Sequence, residues 1–205
     1  MAVYTKISKK DISYINRKFD IEKILEFKGI KQGIENTNYL LKSKNKKFIL
    51  TIFEKRVSKK ELPFFMNLMD KLNKSKINCP KPQTKKGGGY LINLKNKAAC
   101  IVSFLNGKDK KSLNFKNCYD IGKMIAEMHQ STKKMNLTRK NSMGVRNLNP
   151  LLKSIRFKSK KFTNVEKFLK NNFKDIKTKW PKNLPNGIIH GDLFIDNIFF
   201  KNNRL

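Results

Sequence analysis

The chain has 205 residues, 39% of them hydrophobic, with 47 Lys and Arg against 15 Asp and Glu, for a formal charge of +32. That is mass enough for a real core, with no apolar run near the roughly 20 residues of a membrane-spanning helix, no secretory h-region at the N-terminus, and three Cys in no metal or disulfide spacing; a cytoplasmic protein without a membrane partner is expected. The charge invites a nucleic-acid reading, but only six of the basic residues are Arg, and the Lys are scattered beside Asn and Ile, so it reads as compositional bias on solvated positions.

In chain order, Ser8 and Asp11 have the spacing of an N-terminal capping box, and Ile12, Ile15 and Phe19 form the apolar face behind it. Strand signals concentrate in residues 25–105. Thr37–Ser43 and Lys47–Phe53 flank a polar turn at 44–46 and read as a hairpin. Ser58 and Glu61 suggest a second capping box, ahead of a helix lined by Leu62, Phe65, Leu68, Met69 and Leu72. Gly87–Gly89 marks a loose turn before Tyr90–Ile92, and Ala98–Phe104 is a further apolar strand. A helix over about 116–131 places Tyr119, Gly122, Ile125, Met128 and His129 on one face. Thr163 and Glu166 suggest a third box, before Val165, Phe168, Leu169 and Phe173. A β-rich first part with one helix, then a helical part, predicts an α+β, bilobal fold. Its lobes are 1–105 and 106–205, with the boundary near Asn106–Gly107.

The segment with most chemistry runs from Gly187 to Phe200. An apolar pair leads in, a polar loop H-x-D-x-x-x-x-N follows, and an apolar strand leads out. Phosphoryl transfer needs a carboxylate beside the acceptor hydroxyl and a neutral oxygen ligand for Mg²⁺. Asp192 fits the first role and Asn197 the second, at the spacing of the protein-kinase catalytic loop. The bland alternative is a polar turn built from ordinary turn formers. His190 reads as a structural member that orients backbone near Asp192, His129 as a core residue of its helix, and Trp180 as a packing residue. Between strand candidates, Gly33, Asn36, Thr37 and Asn38 suit a phosphate-covering loop: glycine permits close backbone approach, and the polar residues offer donors. Ser103, Phe104 and Leu105 end a strand at the lobe boundary, where hinge amides would meet adenine.

Together with Phe27–Ile30, Glu54–Val57, Glu61–Phe65, Cys79–Pro82 and Trp180–Pro185, the runs Gly33–Tyr39 and His190–Asn197 make the chain resemble the bacterial homoserine kinases along nearly its whole length. The resemblance implies the fold shared with aminoglycoside and choline kinases, with ATP and Mg²⁺ as cofactors. It also implies transfer of the γ-phosphoryl of ATP to the side-chain hydroxyl of L-homoserine, in threonine synthesis. Rivals are a choline or aminoglycoside kinase of the same fold and, outside enzymes, a basic nucleic-acid-binding module. Two departures from the pattern stand out. The kinase Lys of the third strand would fall near Thr51, leaving Lys55 as a candidate and Glu61 as its possible partner or a cap. The family's next Mg²⁺-binding Asp would follow Leu205, so residues 1–205 alone are expected to be inactive, with Ile198–Phe200 an unpaired apolar edge.

Overall fold

A computed structural model of the protein describes residues 3–33, 35–54, 58–155, 163–202 and 204–205. Its elements are α1 (Lys9–Lys18), β1 (Glu26–Gly29), β2 (Thr37–Lys42), β3 (Lys47–Ile52), α2 (Leu62–Lys74), β4 (Leu91–Leu94), β5 (Lys97–Ser103), α3 (Phe115–Lys133), α4 (Val145–Ser154) and α5 (Thr163–Lys179). The strands form one antiparallel sheet in the order β1-β2-β3-β5-β4. This is the α+β architecture expected.

The hairpin of β2 and β3 forms where the pattern predicts it, because both strands alternate strictly and Lys42 pairs with Lys47 across a four-residue turn. Glu22 holds that turn from outside, accepting from the Ser43 hydroxyl at 2.6 Å and the Asn45 amide nitrogen Nδ2 at 2.8 Å. Period-two alternation then gives the sheet two apolar faces. On one, Tyr39, Leu41, Phe48, Leu50, Ile52, Ala99 and Ile101 bury against Ile12, Ile15 and Phe19 of α1 and its C-cap. On the other, Cys100 and Val102 meet Met66 of α2, with Phe65 and Met69 packed around them. Each fully buried aliphatic side chain here contributes about 1.5–3 kcal/mol.

The helices follow their predicted starts unevenly. At α1 the capping box forms: the Ser8 hydroxyl accepts from the Asp11 N–H, and the Asp11 carboxylate accepts from the Ser8 N–H at 2.8 Å. At α2 the expected box does not. The helix begins at Leu62 with Glu61 as its N-cap and no side-chain cap bond. Pro63 explains the later start, because it lacks an N–H and suits only the first turn. At α5 the expected cap falls on Thr163, whose side chain lies outside the described residues, and Glu166 stands in the first turn of the helix.

In α3 the predicted face holds in part: Ile125 and Met128 pack inward and His129 is half-buried, but Tyr119 and Gly122 are exposed. Tyr119 is 65% exposed, while Asn117, Ile121, Met128 and Thr132 are buried. Two observations account for the difference at its first turns. Asn117 is locked in a reciprocal cap with Asn114 and accepts from Lys110 Nζ at 3.1 Å. Ile121 and Ile125 also pack on Ile198 and Phe200, partners that the helix's own periodicity does not reveal.

Two compact units divide the chain: residues 1–137 together with 188–205, and residues 138–187. The second holds α4, which the pattern does not predict, and α5, and none of its described residues is buried. Phe168 and Val165, expected to line a packed face, are 64% and 42% exposed. The edge expected to be bare at Ile198–Phe200 is partly closed. Phe200 exchanges both main-chain hydrogen bonds with Lys108, at 2.9 and 3.0 Å, and the side chains of Ile198 and Phe200 are buried.

Candidate functional site

All the site residues read from the sequence fall in the unit made of 1–137 and 188–205. The catalytic-loop candidates converge locally. Gly191 adopts a φ of +77°, a left-handed conformation that glycine takes without strain. The turn it makes brings the Asp192 N–H to His190 Nδ1 at 3.3 Å, so His190 orients backbone, as expected. A single 3-10 turn, Ile195–Asn197, then folds the chain back. Asn197 Nδ2 donates to the Asp192 main-chain oxygen at 2.8 Å and to its carboxylate Oδ2 at 3.3 Å. Asp192 and Asn197 are therefore one hydrogen-bonded pair on an exposed loop, open to an incoming small molecule.

The loop is anchored from beneath. Leu193, Ile198 and Phe200 point into the cluster with Ile121, Ile125 and Leu113, while Phe194 and Phe199 stay exposed. The pairing of Phe200 with Lys108 ties the strand leaving this loop to the chain leaving Ser103–Leu105. A Cβ on Gly107 would lie 3.0 Å from Phe199 Cβ and 3.3 Å from the Phe200 oxygen, so a glycine is what lets the two segments approach.

In the proposed hinge, two amides are already committed. Ser103 donates its N–H to the Lys81 oxygen at 2.9 Å and accepts the Lys81 N–H on Oγ at 2.9 Å, and the Phe104 N–H reaches the Lys47 oxygen at 3.2 Å. Among the described residues the Leu105 amide has no protein partner, which makes it the candidate donor for a base.

The phosphate-loop candidates divide in the same way. Gly33, at φ +93°, and Asn36 sit in the exposed turn ahead of β2. Asn36 Oδ1 accepts the Glu54 N–H at 3.4 Å, and Asn38 Oδ1 accepts from the Thr51 hydroxyl at 2.8 Å. Thr37 instead faces inward. Fully buried, its hydroxyl oxygen accepts the N–H of Tyr4 and of Thr5 and donates to Glu54 Oε1 at 2.6 Å. Thr51 occupies the expected third-strand position, on the face opposite Thr37. Lys55, the alternative cation, lies outside the described residues.

Sequence reasoning missed one cluster. Glu54, nearly buried, bonds Lys97, Thr37 and Thr5. Burial pushes its carboxyl up, but the hydrogen bonds from Lys97, Thr37 and Thr5 outweigh that and hold it below the usual carboxylate range. The signal lies in the strand register. Ile52 opposes Ala99, and continuing the ladder by two residues sets Glu54 opposite Lys97, an opposite-charge cross-strand pair.

Comparison with known proteins places these features in company. A model of the phosphotransferase enzyme family matches residues 26–205. A homoserine kinase of Rhizobium etli is 35% identical over 100% of this chain and 64% of its own length. One from Paramagnetospirillum magneticum is 38% identical over 98% of this chain and 62% of its own. Among solved structures, a microcompartment-associated aminopropanol kinase superposes with a TM-score of 0.69 at 13% identity, covering 93% of this chain and 64% of that one, a likeness of fold. The chain thus spans a little under two thirds of the length of the curated relatives it matches.

Proposed function

The chain belongs to the phosphotransferase enzyme family, and on that premise we propose that it is a homoserine kinase, moving the γ-phosphoryl of ATP to the side-chain hydroxyl of L-homoserine in threonine biosynthesis. The observation that carries the choice of acceptor is the alignment of relatives named homoserine kinase along essentially the whole chain. The setting we assign is the cytoplasm; among the described residues no helix is long and apolar enough to cross a membrane.

In this reading residues 1–105 hold the nucleotide and 106–205 begin the lobe that carries the catalytic loop, with β5 ending at the boundary. The Leu105 amide meets adenine, flanked by Ser103 and Phe104. Gly33, Asn36 and Asn38 approach the phosphates, and Thr37 serves them by fixing backbone rather than through its engaged hydroxyl.

Asp192 is the catalytic residue. Its carboxylate orients the homoserine hydroxyl and accepts its proton as the new O–P bond forms and the bond to the β-phosphate oxygen breaks, releasing ADP. Asn197 keeps that carboxylate in place through Nδ2. The same commitment leaves its Oδ1 for a cation, and hard oxygen donors suit Mg²⁺. Bound there, Mg²⁺ would supply charge neutralisation for the transferring group. Among the described residues no group of three His, Cys, Asp or Glu side chains gathers to hold a metal, and Asn197 is the one ligand we assign.

The test is an acceptor panel at fixed ATP, run on the polypeptide as its gene encodes it. ADP formation should depend on L-homoserine and be at background with choline or an aminoglycoside. Turnover that prefers either of those would keep the kinase and replace the acceptor.

A further inference from the structure

Residues 31–33, 35 and 36 around the phosphate-loop glycine are exposed or half-exposed and contribute no side chain to the core, so their order has to come from where the loop is fastened. The fastening is concentrated at the end of β3. Asn36, Thr37 and Asn38 each bond to it: Asn36 to the Glu54 N–H, Thr37 to the Glu54 carboxylate, Asn38 to the Thr51 hydroxyl.

Glu54 is in turn braced from two directions. The Thr5 hydroxyl donates to Oε1 at 2.7 Å and accepts from Lys97 Nζ at 2.7 Å, while Lys97 also pairs with Oε2. Thr5 is itself stitched to β2, for its oxygen accepts from the Tyr39 hydroxyl at 3.0 Å and the Ile7 N–H reaches that hydroxyl at 3.3 Å. The result is a closed ring of hydrogen bonds linking the N-terminal segment, β2, β3 and β5 at one corner of the sheet. It lies on the face opposite Thr51 and Asn38.

We propose that Glu54, with Lys97, Thr5 and Thr37, is a positioning strut that holds the phosphate-covering loop ready for nucleotide, and that these are positioning residues for ATP binding. This rests on reading residues 33–38 as that loop. A loop fastened before the ligand arrives loses less freedom on binding, so loosening the strut appears as weaker nucleotide affinity.

The experiment measures ATP binding without acceptor by titration calorimetry, and amide hydrogen exchange at residues 35–38, in the wild type, Glu54→Gln and the milder Thr5→Val. Leu72→Ala, in the separate cluster of α2 and α3, is the control for general destabilisation. Glu54→Gln should weaken ATP binding about tenfold and speed exchange at 35–38 by a similar factor, and Thr5→Val about threefold in each. Leu72→Ala should lower the unfolding midpoint and leave both readouts unchanged. Exchange and affinity in Glu54→Gln that match Leu72→Ala overturn the strut. A wild type that binds no ATP overturns the kinase reading instead, and the exchange data still decide whether the strut holds the loop.

Discussion

The corner of the sheet that fastens residues 36–38 and the loop that carries Asp192 hold candidate functional residues in opposite ways. At the first, the polar groups are buried or half-buried and their partners come from four separated stretches of chain: Thr5 and Glu54 lie 49 residues apart, Lys97 and Thr5 92. At the second, the side chains are exposed, and the bonds that shape the loop span two to five residues. Function and stability are therefore entangled at the sheet and separable at the loop. Changes in the sheet should move both, whereas changes to the polar loop residues should move turnover alone.

The largest expected effect on stability tests the first half of that contrast. Leu50 is fully buried at the centre of the α1 face. Leu50→Ala should cost about 3 kcal/mol in chemical denaturation, and nucleotide affinity should suffer with it. By comparison, Phe168→Ala on exposed α5 should stay within about 0.5 kcal/mol. Equal losses from the two would mean that the core is not where the structure puts it.

Asn197→Ala probes the other region. It removes both bonds to Asp192 and the proposed metal oxygen. Turnover should fall by about 100-fold, since small misplacements of reacting groups cost that much, with the unfolding free energy unchanged within about 0.5 kcal/mol. A matching loss of stability would show that the loop is not the separable unit described.

How far each region is legible in the sequence follows from the same difference. The α1 cap and the hairpin turn read at 44–46 depend on residues close in sequence, and their spacing predicts them; the Asp192–Asn197 bond is as local, but spacing offers those two residues only as separate candidates. The glutamate ring depends on which strand lies beside β3, and spacing does not tell that β5 rather than β4 takes the place. Once register is known, Glu54 and Lys97 are forced together. The burial of Ile121 in α3 is hidden for a related reason. Its partners are Ile198 and Phe200, far along the chain. At α2 the conflict is local: Pro63 outweighs the Ser58–Glu61 spacing.

Acid sensitivity sharpens the comparison more gently. The carboxyl of Glu54 is held below its ordinary value of 4.5 in the folded protein. Its contribution to stability is thus complete above that value and lost as pH falls through the lower folded one. Glu54→Gln should flatten this limb in denaturation curves taken from pH 6 down to about 3. An unchanged acid limb in Glu54→Gln would contradict the buried, hydrogen-bonded carboxylate.

The smallest expected signal concerns the surface charge, which belongs to neither region. With Lys spread along the chain, duplex DNA should bind at about micromolar strength or weaker at physiological salt, without sequence preference and with a steep salt dependence. A nanomolar, sequence-selective complex measured by fluorescence anisotropy would give the charge a purpose that compositional bias does not.

The most direct test of the central claim is to measure turnover, ATP affinity and unfolding free energy together in Asp192→Asn. The carboxamide keeps the shape of the loop but cannot accept the hydroxyl proton, so homoserine-dependent ADP formation should drop by about 100- to 10,000-fold. ATP affinity and stability should remain at wild-type values. Near-normal turnover, or a loss of turnover that merely follows a loss of folding, would contradict the assignment of Asp192 and the separation of chemistry from stability at this loop.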